Sequence, residues 1–248
     1  MKEQIYTIPV NDAFNAVCEC PLCELENKTT QDLLAYYIGP SMMEPDVRIV
    51  TNEKGFCREH LSALYNRQEN RLALGLMLHT HISEICGDIN RKLERSASAG
   101  VPARLFHSGG DIRQGLAKTA EAIEKRVDSC ALCDRLEYTM DRYIDVILWQ
   151  YFEDSDFRER FLRTKGFCMP HVAMLLRGCA KYLSASEAAV FVKAMASLQN
   201  ESMNILRDEI GWFTLKFDYN NADKPWGNSK DAVPRTIRKL SGRSDLKQ

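Results

Sequence analysis

The sequence predicts an all-α protein made of tandem-duplicated helical units in a pseudo-two-fold relation. Three observations predict it. Apolar residues recur at helical spacing, with no run of strand alternation closed by hairpin turns. A pair of short motifs occurs twice in the same order, and a stretch rich in helix breakers separates the two occurrences.

The repeated motifs are specific. Residues 20–24 read Cys-Pro-Leu-Cys-Glu and residues 130–134 read Cys-Ala-Leu-Cys-Asp. Lys-Gly-Phe-Cys-Arg-Glu-His at 54–60 is matched by Lys-Gly-Phe-Cys-Met-Pro-His at 165–171. The offsets are 110 and 111 residues, and Asp46 and Arg48 fall in register with Asp156 and Arg158. This is the pattern of an old tandem duplication.

The elements follow in order. Pro21 is tolerated in a first turn, so a helix starts at Cys20–Cys23 and continues through Glu24-Leu25-Glu26. Cys57 follows a Gly-Phe that reads as a loop entering a shorter helix. Leu78, Ile82, Ile85, Ile89 and Leu93 then mark one face of a long helix. Ser96-Ala97-Ser98-Ala99-Gly100-Val101-Pro102 and Ser108-Gly109-Gly110-Asp111 break it. Ile112, Leu116, Ile123 and Val127 precede the second Cys pair, and Tyr143, Ile147 and Tyr151 continue helically after it. The last long helix carries Phe191, Met195, Leu198, Ile205 and Phe213 behind a capping box, Ser184 and Glu187. Each unit therefore reads as helix, connecting loop, shorter helix, long helix. The boundaries are 1–100 for the first repeat, 101–115 for a linker, 116–220 for the second repeat, and 221–248 for a C-terminal loop and helix with a basic tail.

Composition narrows the function classes. With 45% hydrophobic residues, 248 residues have ample material for a core. Lys+Arg 33 against Asp+Glu 34 excludes a globally basic nucleic-acid binder and an acidic disordered chain. The longest apolar run, near Leu72–Leu78, is too short to span a bilayer, and Met1–Tyr6 lacks the features of a signal peptide. A cytoplasmic protein without a membrane is the expectation.

Nine cysteines stand out: Cys18, Cys20, Cys23, Cys57, Cys86, Cys130, Cys133, Cys168 and Cys179. In a reducing compartment they are not expected to form structural disulfides. Each unit offers Cys-x2-Cys and, after 33 or 34 intervening residues, Cys-x2-His. Ligands separated by two residues can bend onto one ion, and two such pairs complete a tetrahedron suited to zinc. The spacing thus predicts two zinc ions per chain, each in a Cys3His set within its own repeat. Cys20, Cys23, Cys57 and His60 form the first set; Cys130, Cys133, Cys168 and His171 form the second. Helix N-termini at these cysteines favour the thiolates a metal needs. Four protein ligands leave no open position, so the sites read as structural rather than catalytic. Iron is the competing metal, because Cys18 adds a thiol to the first pair; Ser129 before the second pair offers none.

Other residues have plainer readings. His79 and His81, two apart on a helix, point about 200° from each other and cannot readily share one ion. They read as packing residues, or as acid–base groups if a cleft lies between the repeats. His107 falls in the linker. Cys86 and Cys179 read as small apolar helix residues. Asp156 and Arg158 suggest a salt bridge bracing a loop. Trp226-Gly227 suggests a loop folded back on the body, followed by Ser229 as a helix cap. Residues 234–248 carry five Lys/Arg against one Asp and read as a frayed, solvated end. Nucleic acid is a possible partner for that end but not the favoured one. No phosphate loop, GxSxG elbow or HExxH motif is present.

Tyr6–Phe14, Cys20-Pro21-x-Cys23, Gly55-Phe56-Cys57-x2-His60, Met77–His81, Gly166-Phe167-Cys168-x2-His171, Phe217-Asp218-Tyr219 and Trp226–Asp231 resemble an uncharacterised bacterial family of the domain-of-unknown-function 6062 type. The resemblance covers nearly the whole chain. It implies a bacterial cytoplasmic protein with the doubled CxxC…CxxH plan, and it brings no activity.

The reading of the sequence is a zinc-binding helical protein with a binding, scaffold or regulatory role towards an unknown protein or small molecule. The alternatives are a thiol-redox or iron–sulfur sensor, and an enzyme using His79 or His81 in a cleft between the repeats.

Overall fold

The computed structural model describes residues 4–98 and 112–243. His107 and the expected linker up to residue 111 lie outside the described residues, as do residues 244–248 of the basic tail.

All regular structure among the described residues is helical. The α-helices are α1 (Gln4–Asn15), α2 (Pro21–Ile38), α3 (Pro45–Lys54), α4 (Arg58–Arg67), α5 (Arg71–Ser98), α6 (Ile112–Asp128), α7 (Ala131–Glu153), α8 (Ser155–Leu162), α9 (Met169–Tyr182), α10 (Ala185–Leu215) and α11 (Ala232–Ser241). No described helix is long and apolar enough to cross a membrane.

Local chemistry sets the ends of these helices. Pro21 and Pro45 occupy first positions, where a missing N–H costs nothing. Asp154 caps α8 by accepting from the N–H groups of Asp156 and Phe157. Ser184 and Glu187 form the expected capping box on α10. The connecting loop expected between each CxxC helix and the following CxxH holds a helix of its own, α3 in one case and α8 in the other. The cap at Asp154 and the proline at Pro45 account for these extra starts.

The chain divides into two compact units: Met1–Thr29 with Tyr138–Gln248, and Thr30–Glu137. The boundaries fall inside α2 and α7, so neither unit corresponds to one sequence repeat.

The first unit is built on aromatic packing. Phe157, Phe161, Phe167 and Phe191 are fully buried. Phe14 of α1 lies 4.9 Å from Phe157, and Phe161 lies 5.2 Å from both Phe167 and Phe191. Each ring contributes roughly 1.5–3 kcal/mol by leaving water. Helices α7 and α9 approach closely at Gly178, where a Cβ would stand 2.1 Å from the Ile144 side chain. Tyr143, Ile147 and Tyr151 face this core as their spacing predicts.

The second unit packs Leu33, Leu34, Tyr37 and Ile38 of α2 against Phe56, Leu64, Leu74 and Met77, with Ala131 and Leu132 of α7. Tyr37 donates a hydrogen bond to the Ala131 carbonyl. Helix α5 enters this core only through Ala73, Leu74 and Met77 near its start. The expected face through Leu78, Ile82 and Leu93 is largely exposed; beyond Met77, α5 meets α3 through Thr80 and His81 and α6 through Ser96.

Three expectations for the second half are corrected. Arg158 donates to the carbonyls of Tyr151 and Phe152 rather than pairing with Asp156, since residues two apart on a helix diverge. Ser229 does not cap α11; its hydroxyl donates to the Trp226 carbonyl inside a 3-10 turn, and Asp231 is the capping position. The chain after residue 234 is no frayed end as far as Arg243: α11 packs on α9 and α10, burying Ala232 and Lys239. The Trp226 loop does fold back. Trp226 packs 5.7 Å from Phe213, and the Trp212 indole N–H donates to the Pro225 carbonyl.

Candidate metal centres

Four helix starts carry the eight candidate residues. Cys20 precedes α2 and Cys23 lies in its first turn; Cys130 and Cys133 stand likewise at α7. Cys57 is the N-cap of α4 and Cys168 that of α9, with His60 and His171 one turn later. Residues three apart at a helix start share one side, so each pair presents two donors together.

The pairs come together in a different combination from the one expected. Cys20 and Cys23 meet Cys168 and His171, while Cys57 and His60 meet Cys130 and Cys133. The expected closure within each repeat does not form. Helix α2 rises about 27 Å from its cysteines and α7 about 35 Å. Each CxxC pair thus stands at the far end of a long helix from the segment that leads to the next CxxH pair, which α3 and α8 introduce. Each set lies within one compact unit, the first in Met1–Thr29 with Tyr138–Gln248, the second in Thr30–Glu137.

In the first set, Cys20 Sγ is 3.9 Å from Cys168 Sγ, and Cys23 Sγ is 3.6 Å from it. His171 Nδ1 lies 3.5 Å from the sulfurs of Cys20 and Cys23, and 3.0 Å from that of Cys168. All four residues are buried. In the second set, Cys57 and Cys133 hold their sulfurs 3.8 Å apart. His60 Nδ1 is 3.2, 3.4 and 3.3 Å from Cys57, Cys130 and Cys133. Here only Cys130 is buried and the other three are half-buried. The donor atoms of each set lie within 4.8 Å of one another, so each set can hold a metal ion. Cys18 joins neither set.

The loops before Cys57 and Cys168 are locked from the following long helix. Gly55 and Gly166 have φ of 64° and 73°, a region that favours glycine. A Cβ on Gly55 would stand 2.4 Å from His81 Nε2, and one on Gly166 would stand 2.7 Å from Gln199 Oε1. His81 Nδ1–H donates to the Asn52 carbonyl at 2.7 Å. Gln199 accepts from Phe167 N–H and donates to its carbonyl. In the second set the loop is also joined to α7, since Ala131 N–H donates to the Gly55 carbonyl and Ser129 to that of Lys54. His79, by contrast, is exposed.

Electrostatics reflect four ionisable donors in small volumes. Hydrogen bonds from Cys168 and Cys23 hold the Cys20 thiol well below the usual range, and the same neighbourhood pushes Cys23 well above it. Burial opposes a charge on His171, but hydrogen bonds to Cys168 and Cys20 and their negative charge prevail, raising it to about 10. Burial, then the neighbouring Cys130, pushes Cys133 upward. Cys18 and Cys179, outside both sets, are each raised to about 11 by burial.

Two residues near the first set escaped the sequence reading. Lys239 is buried, with its ammonium donating to the Lys165 carbonyl and its charge felt by Cys20, Cys168 and Cys23. The usable signal was the spacing of Ala232, Thr236 and Lys239, one face of a helix inside an apparently basic tail. Glu26 is the second: its carboxylate lies 3.6 Å from His171 Nε2, on the side of the ring away from the sulfurs.

A model of a family of unknown function, DUF6062, matches residues 1–247. The chain belongs to this family. No curated protein and no solved structure matches it. Membership of the DUF6062 family carries no activity, so the chemistry of the two centres is the available guide to function.

Proposed function

We propose that this DUF6062 protein is a zinc protein with two structural Cys3His centres, and that it serves as a binding or scaffold element. The observation that carries this reading is the donor geometry. Three sulfurs and one nitrogen around zinc, at about 2.3 and 2.0–2.1 Å, imply edges of about 3.8 Å between sulfurs and about 3.5 Å from sulfur to nitrogen. The sulfur edges here are 3.6–3.9 Å and the nitrogen edges 3.0–3.5 Å. A disulfide would need about 2.05 Å, and all nine cysteines are free. Cysteine sulfur with histidine nitrogen is the donor set zinc prefers, and it supplies strong folding free energy there.

Cys20, Cys23, Cys168 and His171 would hold one ion, and Cys57, His60, Cys130 and Cys133 the other. With four protein donors each, both centres are closed to substrate, which favours a structural role over a catalytic one. The first ion would tie residues 145 apart, Cys23 and Cys168, where unaided loop closure costs on the order of 4 kcal/mol. Glu26 would orient the His171 ring, as carboxylates behind metal-bound histidines do.

The doubled plan supports a tandem duplication with a pseudo-two-fold relation. Helices α1–α5 and α6–α10 follow the same order, with starts at 21 and 131, 45 and 155, and 58 and 169. Such a duplication would have exchanged ligand pairs, so that neither repeat completes a centre alone. A reducing, cytoplasmic location suits free thiolates. The partner would be a protein or small molecule; nucleic acid is less favoured, since Arg235 is paired with Glu209 and Lys239 is buried.

The iron–sulfur reading loses support because Cys18 stays outside the first set. The enzyme reading loses support because His81 is committed to the Gly55 loop. A thiol-redox role keeps one favourable observation, the half-exposure of the second centre. Elemental analysis of protein purified from cells tests the proposal: two zinc ions per chain are expected, with loss of helicity on strong chelation. Less than one metal per chain, with full stability after chelation, rejects it.

A further inference from the structure

Helices α5 and α6 run antiparallel, joined where the Ser96 and Thr119 hydroxyls share a hydrogen bond. Further along their seam lies a cleft of about 800 Å³, with a third wall formed by Glu53 and Lys54 at the end of α3. Ile85 and Ile89 of α5 and Ile123 of α6 line it, and all three are half-buried. Ser129 lines it too and donates to the Lys54 carbonyl. The cleft therefore lies beside the backbone that carries Cys57 and Cys130 into the second centre.

The charged part of the lining is unbalanced. It holds five cations, Lys54, Arg91, Lys92, Lys125 and Arg126, against three carboxylates, Glu53, Glu84 and Asp88. Lys54 pairs with Asp134, outside the cleft, and Lys92 pairs with Asp88. Arg91 and Arg126 each donate to a backbone carbonyl, of Gly87 and Asn52, and neither forms an ion pair among the described residues. A hydrogen bond from Lys92, then the positive charge of Lys92, Arg91 and Arg126, holds the Asp88 carboxyl below its usual range. Three cations thus gather around one carboxylate, close to an apolar surface.

We infer that this cleft binds a small organic anion, with its apolar body against Ile85, Ile89 and Ile123 and its anionic group beside Arg91, Lys92 and Arg126. The volume falls within the roughly 300–1,000 Å³ of small-molecule sites, which combine an apolar lining with a few placed polar groups. The lining selects among ligand classes. An inorganic anion would leave the isoleucines without a contact. An uncharged apolar molecule would desolvate the cations and give them no partner. A cationic ligand would meet like charge. The inference gives a site and a ligand class to the small-molecule partner proposed above, and it rests on that reading.

Two fluorescent probes titrated into the full chain test it: anilinonaphthalenesulfonate, an organic anion that brightens in apolar surroundings, and its uncharged counterpart phenylnaphthylamine. Saturable binding of the sulfonate is expected. Arg91→Glu should weaken it at least about fivefold and leave the uncharged probe within about twofold, while Arg91→Lys should keep both within about twofold. Ile89→Ser should weaken both probes at least about fivefold, through lost apolar contact. Both positions lie beyond Met77, where α5 leaves the buried core, so circular dichroism should stay unchanged. Lys193→Glu, exposed on α10, should leave both probes unaffected. No saturable binding of the sulfonate, or an affinity insensitive to Arg91→Glu or to Ile89→Ser, overturns the inference. Zinc content of the same samples reports the metal reading separately, since a chain with two zinc ions and no probe site would reject the cleft alone.

Discussion

Cys23 and Cys168, 145 residues apart in the chain, hold their sulfurs 3.6 Å from each other. A CxxC pair from the first half and a CxxH pair from the second therefore make one donor set. The partition of the eight residues into two sets is open to a direct test.

Pairs of substitutions distinguish crossed sets from sets closed within each repeat. If Cys20, Cys23, Cys168 and His171 form one centre, Cys20→Ser with Cys168→Ser should leave one zinc ion per chain. Cys20→Ser with Cys57→Ser should leave none. Pairing within repeats gives the opposite result for both variants, and elemental analysis of each purified protein reads the difference.

The two centres should lose metal at different rates. Every donor residue of the Cys168 centre is buried, whereas Cys57, His60 and Cys133 are half-buried. A chelator in moderate excess is expected to remove the metal near Cys57 first, giving two kinetic phases. Replacing Lys239 by Met should speed only the slower phase, since its buried ammonium offsets the negative charge of three thiolates and one divalent ion. A single phase, or a faster first phase in the Lys239 variant, would contradict this assignment.

Gly55→Ala is expected to destabilise the chain by about 1–3 kcal/mol in urea unfolding. The added methyl would meet His81 at 2.4 Å, on a backbone with φ of 64°. His81→Ala removes the clash but not the backbone strain, so the double variant should recover part of the loss and no more.

Metal-stripped protein should be most stable between about pH 6.5 and 9.0, the ordinary values for histidine and cysteine. His171, raised to about 10, contributes stability that is complete below 6.5 and lost as pH rises through 10. Cys20, held far below 9.0, contributes stability that is complete above 9.0 and lost as pH falls. Between the two values the folded thiolate–imidazolium pair and the unfolded thiol–imidazole pair bind the same number of protons. Stability is then flat, and it falls on either side. Urea midpoints across pH should show this plateau, and His171→Gln should abolish the alkaline fall attributed to the ring.

Much of the fold was legible because helices announce themselves locally. The capping box at Ser184 and Glu187 needs only residues three apart, and the row Tyr143, Ile147 and Tyr151 needs only one helix face. Burial was less legible. Ile82 and Leu116 have the spacing of core residues yet remain exposed, since periodicity identifies an apolar face and not what covers it. Lys239 was hidden for the converse reason: a basic residue in a basic run becomes a buried one only when α11 docks on α9 and α10.

The sequence alone determined the helical class, the family resemblance, and the four donor pairs, because Cys-x2-Cys and Cys-x2-His are local geometry at a helix start. Only the tertiary structure decided which pair meets which. That choice depends on the path of the chain, in which the long helices α2 and α7 carry it away from their cysteines before the next Cys-x2-His pair is reached, and no local motif fixes where that path leads.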